Sequence, residues 1–299
     1  MPELPEVETI RRQLEPELLG RRVERLEVLD DRWSRPVAPR RLEREVSGRT
    51  IAGLRRRGKY LLMALDGGDT LVMHLRMTGN LLLVDREGLV AAVDPRVYQP
   101  ASEDRYLRAR FRLDDGRELR FSDARRFGEA LLLRDDQLDA RFAGRVGIEP
   151  LSGDFTVEAL ERIAAGRTVP LKSFLLDQSG IAGVGNIYAD EALFRARLHP
   201  LSPAGSMKPE HLEALRSGVV EALAAGIDGG GASIDDYRDS RGERGSMQEE
   251  FLVHTREGEP CPRCGEPIAR ILIGGRSTYY CPQCQVRLRR RPRRRRPRR

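Results

Sequence analysis

Apolar positions change their period twice along this chain, and the changes divide it. Over Pro5–Leu19 the spacing is helical, with Val7, Ile10, Leu14 and Leu18 on one stripe and Gly20 as a stop. The next 115 residues or so carry short apolar or alternating runs: 23–28, 60–65, 70–74, 80–84, 107–113, 118–122 and 129–133. Gly67-Gly68 and Asp115-Gly116 lie between them as hairpin signals. This predicts an antiparallel β-sandwich preceded by a helix. Residues 134–155 read as a crossing punctuated by Gly and Pro. Helical periodicity then returns over 156–165, 170–178, 186–196 and 209–225, followed by a glycine-rich stretch, 226–245. Near the end, 268–273 and 277–280 read as two strands around Gly274-Gly275-Arg276, a β-hairpin with Arg276 at its tip. The predicted fold class is α+β with two domains: residues 1–134 an N-terminal sandwich, 135–155 a linker, 156–245 helical with the glycine-rich loop, 246–286 a cysteine-bearing hairpin, and 287–299 a disordered arginine-rich tail. There is no internal repeat.

Charge sharpens this picture only at one end. The 299 residues carry a formal net charge of +7, but 287–299 hold ten arginines and no acid, so residues 1–286 are net −3. The tail, interrupted by Pro292 and Pro297, cannot build a core and reads either as an arm for polyanions such as nucleic acid or as a solvated solubility tail. Only Lys59, Lys172 and Lys208 of the 53 basic residues are lysines. Where arginine suffices nearly everywhere, a surviving lysine suggests a need for a compact ammonium. With 39% hydrophobic residues and no apolar run near twenty residues, the chain is expected to be a soluble globular protein without a membrane segment.

All four cysteines fall in one array, Cys261-x2-Cys264 and Cys281-x2-Cys284, separated by sixteen residues. That spacing fits one structural zinc, with four thiolates closing a tetrahedron and leaving no open position for catalysis. Disulfides would need an oxidising compartment, and no secretory leader pattern is seen.

The start of the chain carries a different chemistry. Removal of Met1 would expose the Pro2 nitrogen beside the Glu3 carboxylate. An α-amino group titrates near 7.7 to 8.0, against roughly 10.4 for lysine, so far more of it is a free base at neutral pH. A secondary amine adding to carbonyl-like carbon gives an iminium, and a carboxylate can shuttle the protons required. The bland alternative is an ordinary unstructured Met-Pro start. Gly183-Val184-Gly185-Asn186 sits at a turn into a helix whose amides would favour an anion, with Asn186 as its cap; glycine linkers before a plain capped helix are the alternative.

Met1-Pro2-Glu3-Leu4-Pro5-Glu6-Val7-Glu8-Thr9, Arg57-Gly58-Lys59-Tyr60-Leu61-Leu62, His74-Leu75-Arg76-Met77-Thr78-Gly79, Arg125-Arg126-Phe127-Gly128, Gly183-Val184-Gly185-Asn186-Ile187-Tyr188 and the four-cysteine hairpin occur in one order. In that order, over roughly residues 1–286, the chain resembles the bacterial formamidopyrimidine-DNA glycosylases. The resemblance implies a helix-two-turn-helix element beginning at Pro170 and a bifunctional glycosylase and abasic-site lyase of base excision repair. Such an enzyme removes 8-oxoguanine and formamidopyrimidines and cuts the strand by β,δ-elimination. It implies Pro2 as nucleophile, Glu3 as proton carrier, and Lys59 and Arg276 as catalytic-site cations. His74, Asn186, Lys59 and Arg276 would grip the phosphates around an everted nucleotide. Everting a base strains the backbone, and charge-assisted contacts must offset that strain. Met77, Arg125 and Phe127 would form the intercalating wedge, and Lys172 would handle the oxidised purine. Residues 229–238 resemble the loop that surrounds the lesion, and an ordinary linker is the alternative. Arg76 stands where the family usually has glycine and Ala124 where it usually has proline, which puts the wedge geometry in question. The resemblance further implies a monomer acting on damaged double-stranded DNA in the bacterial cytoplasm, associated with the nucleoid, with zinc as its one cofactor. The competing readings are an endonuclease VIII-like glycosylase for oxidised pyrimidines and a non-catalytic DNA-binding zinc protein. Leu4-Pro5 and the long glycine-rich loop favour the purine-lesion branch over the first.

Overall fold

The structure is a computed structural model describing residues 1–85, 104–234 and 237–289. Residues 290–299 of the arginine tail and Asp235-Asp236 of the glycine-rich stretch lie outside the described residues. The chain divides into two compact units, Met1–Val146 with Ala225–Glu250, and Gly147–Ala224 with Phe251–Arg299.

In the first unit, helix α1 (Leu4–Leu18) precedes two four-stranded antiparallel sheets. One has the order β1 (Val23–Val28), β6 (Leu107–Leu113), β7 (Glu118–Asp123), β5 (Gly79–Val84). The other runs β2 (Ile51–Arg57), β3 (Tyr60–Leu65), β4 (Asp69–His74), β8 (Glu129–Arg134). Val7, Ile10, Leu14 and Leu18 of the α1 stripe share one core with Leu26, Leu54, Leu61, Met63, Leu71 and Met73. Trp33 belongs to the same core, with its ring 6.2 Å from Phe111 and 5.3 Å from Phe121.

Three elements here depart from the expected pattern. Helix α2 (Pro39–Val46) offers only Leu42 and Val46 to the core, one turn apart, in an otherwise charged segment. Strand β2 ends in three arginines, and a register shift between Ile51 and Gly53 breaks its alternation. Within the supposed linker, helix α3 (Leu138–Phe142) covers a satellite cluster of Leu62, Val72 and Phe142 with Leu138 and Val146. The glycine-rich stretch, expected to belong with the helical domain, falls in the first unit. Tyr237 is in the sandwich core, and the Leu83 amide donates to the Ser240 carbonyl. Ser240 also donates to Gln13 Oε1 through its amide and hydroxyl.

The second unit contains α4 (Val157–Ala164), α5 (Leu171–Leu176) and α6 (Asn186–Arg195), and most of α7 (Pro209–Asp228). The hairpin of β9 (Ala269–Ile273) and β10 (Arg276–Tyr280) turns through Gly274 and Gly275, both at positive φ. Arg276 is therefore the first residue of β10, paired with Ile273. Thr156, read from the sequence as part of this helix, is its N-cap, accepting from the Ala159 amide. No helix of the described residues is long and apolar enough to cross a membrane.

Candidate DNA-lesion site and zinc centre

Pro2 and Glu3 are buried at the start of α1, with Glu3 only 2% exposed, whereas Met1 is 45% exposed. Glu3 is the N-cap, and its backbone amide donates to Glu6 Oε2 at 2.7 Å. The other oxygen of Glu6 accepts from the Ala232 amide at 2.8 Å. One buried carboxylate thus joins the chain start to the glycine-rich stretch. Gly231 approaches that carboxylate so closely, at φ +85°, that a Cβ would meet Glu6 Cγ and Tyr237 at 2.9 Å. Glu6 was not singled out by sequence, although an acid three residues after an N-cap is a capping signal.

Lys59, buried, occupies the turn between β2 and β3, beside Gly58 at φ +57°. Helix α1 reaches this turn through charge: Glu8 Oε2 accepts from Arg56 Nε at 3.1 Å, and Arg56 donates to the Gly58 carbonyl at 3.0 Å. Burial pushes the Glu8 carboxyl up, but hydrogen bonds from Arg11 and Arg12 and the charges of Arg11 and Arg56 outweigh it and hold the group below its ordinary value.

His74 ends β4 opposite Tyr60, whose ring meets it edge-on at 4.5 Å. Its Nδ1 accepts from the Arg76 amide at 2.9 Å, which leaves the imidazole proton on Nε2 as a donor. Burial, with the nearby Arg76 and Lys59 charges, pushes the His74 pKa down from 6.5 to about 3. A neutral His74 is therefore built into the fold. Its stabilising contribution is whole above pH 6.5 and is lost as the pH falls toward 3, because only the unfolded chain readily takes up the proton. Between pH 6.5 and 4.5, urea titrations should show wild type losing on the order of 2 kcal/mol more than His74→Gln. Parallel losses would contradict the burial of a neutral ring.

Of the three residues expected to form a wedge, Met77 is 37% and Phe127 53% exposed, and Arg125 is exposed with its guanidinium 5.0 Å from the Phe127 ring centre. Of the two departures from the family pattern, Arg76 becomes legible. Arg76 and Arg126 adopt left-handed backbone, φ +56° and +60°, and each is tied down by an acid, Arg76 to Glu129 at 2.7 Å and Arg126 to Asp30 in a two-point pair. Asp123, 1% exposed, accepts from the Thr78 hydroxyl and from the amides of Arg125, Phe127 and Gly128. It ties the Thr78 turn to the segment 125–128, and sequence reasoning passed over it. Asp123→Asn should loosen Arg125 and Phe127 by replacing an acceptor with a donor facing amides, costing about 1 to 3 kcal/mol of stability. It should also reduce discrimination between cytosine and adenine opposite a lesion. A variant as stable and as selective as wild type would contradict this role.

In the second unit, the cap of α6 is Gly185, so Asn186 stands at the first helical position and does not cap it as expected. Its Nδ2 donates to the Ser277 carbonyl of β10 at 3.0 Å, and its Oδ1 is buried without a partner. Lys172 also departs from expectation. It is fully buried, its Nζ donating at 2.6 Å to both Asp190 Oδ1 and the Asn186 carbonyl, so the ammonium is closed off from solvent. The next carboxylate of α6, Glu191, accepts from the Leu252, Val253 and His254 amides and pairs with Arg195 at 2.7 Å. Arg276 is exposed.

The sulfurs of Cys261, Cys264, Cys281 and Cys284 all lie within 4.8 Å of one another, with pairs at 3.9 and 3.5 Å. Zinc bound by four thiolates at about 2.3 Å requires sulfurs about 3.8 Å apart, and a disulfide would bring two of them to about 2.05 Å. The donor set is that of one structural zinc. The small apolar cluster beside it, Phe194, Val253 and Ile268, is too small to hold the hairpin alone. Chelation or Cys281→Ser should therefore release one zinc per chain and unfold the hairpin, consistent with apparent binding energies of about 10 to 16 kcal/mol in zinc-finger peptides. Elemental analysis with hydrogen exchange checks this, and a metal-free protein with a protected hairpin would contradict it.

Residues 1–130 match the formamidopyrimidine-DNA glycosylase N-terminal domain, 146–238 the H2TH domain of that glycosylase, and 258–286 a zinc finger found in FPG and IleRS. A formamidopyrimidine-DNA glycosylase from Roseiflexus sp. (strain RS-1) is 44% identical over 288 residues, 95% of this chain and 100% of that one. The chain belongs to the formamidopyrimidine-DNA glycosylase family. Among solved structures, wild-type Lactococcus lactis Fpg (MutM) in complex with N7-benzyl-Fapy-dG DNA matches with a TM-score of 0.84 at 34% identity, covering 95% of this chain and 99% of that one. MutM (Fpg) from Thermus thermophilus matches with a TM-score of 0.80 at 41% identity, covering 95% and 98%. The α+β class, with antiparallel sheets first and a helical region and zinc finger after, is that of formamidopyrimidine-DNA glycosylases.

Proposed function

We propose that this chain is a DNA glycosylase and abasic-site lyase of base excision repair that removes oxidised purines from double-stranded DNA. The observation that carries the proposal is the buried Pro2-Glu3 pair at the head of α1, tied through Glu6 to the glycine-rich stretch. With Met1 removed, the Pro2 nitrogen attacks C1′ of the lesion nucleotide and the base departs, taking a proton. Glu3 carries the protons for base loss and sugar-ring opening. The resulting iminium makes the C2′ proton acidic, so the 3′ phosphate leaves by β-elimination and the 5′ phosphate by δ-elimination; water then releases Pro2.

Lys59, neutral His74, Asn186 and Arg276 supply donors for phosphates flanking the everted nucleotide, and Met77, Arg125 and Phe127 fill the vacated stack. Zinc holds the fold around Arg276 and takes no part in bond making. The enzyme works as a monomer in the bacterial cytoplasm, on nucleoid DNA. Incubation with duplexes containing 8-oxoguanine opposite cytosine, or an oxidised pyrimidine, tests the substrate class. Faster release of the oxidised purine is expected; preference for the pyrimidine would assign an endonuclease VIII-like enzyme, and release of neither a binding protein.

A further inference from the structure

We infer that Lys172, Asp190 and His254 form a buried chain of charge and hydrogen bonds that positions Asn186 and the Arg276 hairpin for phosphate binding. The inference rests on the proposed phosphate contacts. Asp190 is fully buried one helical turn after Asn186, and it spends both carboxylate oxygens inside the protein. Oδ1 accepts from Lys172 Nζ at 2.6 Å, and Oδ2 lies 2.8 Å from His254 Nδ1. Lys172 also holds the Asn186 carbonyl at 2.6 Å. The His254 ring meets Tyr279 of β10 edge-on at 5.2 Å and Phe251 at 5.4 Å.

Two routes therefore join the first turn of α6 to β10. The direct one is the Asn186 side chain to the Ser277 carbonyl, one residue from Arg276. The indirect one passes through Asp190 and His254 to Tyr279. Isolated buried charges are costly, and a pair is retained where its geometry is well satisfied or where it fixes a single arrangement. Here the arrangement fixed is the spacing of the two residues that hold DNA. All three are positioning residues, since none reaches the surface where phosphate would bind. The same network accounts for the burial of Lys172, which the family resemblance alone would place against the lesion.

The test uses the zinc-loaded full-length enzyme and a duplex carrying a stable tetrahydrofuran abasic analogue, titrated across salt concentrations. His254→Phe keeps an aromatic ring against Tyr279 and Phe251 and deletes only the bond to Asp190. It should bind roughly tenfold more weakly, and the slope of log affinity against log salt should become shallower by about 0.9, one phosphate contact. Cleavage of a saturated abasic-site complex should change less than about twofold. Combined with Arg276→Ala, the loss should be no larger than for Arg276→Ala alone, because both act through one phosphate contact. Additive losses, or unchanged affinity and slope in a folded His254→Phe protein, would overturn the inference. Lys172→Met with Asp190→Leu removes the charges together and keeps the fold accessible. Near-wild-type affinity in that folded double variant would overturn it as well. If Asn186→Ala and Arg276→Ala both bind normally, the phosphate contacts themselves are wrong; if they bind weakly and His254→Phe does not, only the positioning role falls.

Discussion

Pro2→Gly is expected to cut lesion duplexes at least about a hundredfold more slowly than wild type, while its affinity for the tetrahydrofuran duplex stays within about twofold. Proline supplies a secondary amine whose ring fixes the backbone at the approach to α1. Glycine supplies a primary amine on a residue with far more conformational freedom. The change alters the nucleophile and leaves Lys59, His74, Asn186 and Arg276 in place. A form of the enzyme that retains Met1 should behave still more severely, because its Pro2 nitrogen is an amide without a nucleophilic lone pair. Single-turnover cleavage and equilibrium binding measured side by side decide the matter. Wild-type turnover by Pro2→Gly would remove Pro2 from the chemistry.

Glu3→Gln should lower base release by roughly 10²- to 10⁴-fold, the range that a positioned general acid or base contributes. Its backbone amide still donates to Glu6, so the cap of α1 survives and the variant should remain folded with normal DNA affinity. Release of 8-oxoguanine in a single turnover is the readout. An unimpaired Glu3→Gln enzyme would place the proton carrier elsewhere.

What the sequence could reveal followed its strongest periodicities. The α1 stripe, strand β6 and the cysteine hairpin emerge because each has a clean period or a fixed spacing. Helix α2 and strand β2 do not, since charged residues dominate both and the few apolar positions carry too little pattern. Among site residues, motif matching pointed to those that would face DNA, and the exposed Met77, Arg125 and Phe127 bear the character expected of a wedge. It was silent on what holds them. Asp123, Glu6, Asp190 and His254 act through buried hydrogen bonds to distant backbone and side chains, and no local pattern announces such partners. Lys172 shows the same limit: its rarity suggested a need for a compact ammonium, and only the fold shows Asp190, eighteen residues on, holding that ammonium in the core.

The central claim is that an imine forms at residue 2, and borohydride trapping tests it most directly. Enzyme mixed with an 8-oxoguanine:cytosine duplex and reduced during turnover should give a covalent protein–DNA adduct. Mass spectrometry of its peptides should show the DNA remnant on an N-terminal peptide that begins at Pro2 and lacks Met1. Absence of an adduct from active protein, or an adduct mapped to Lys59 instead, would contradict the account.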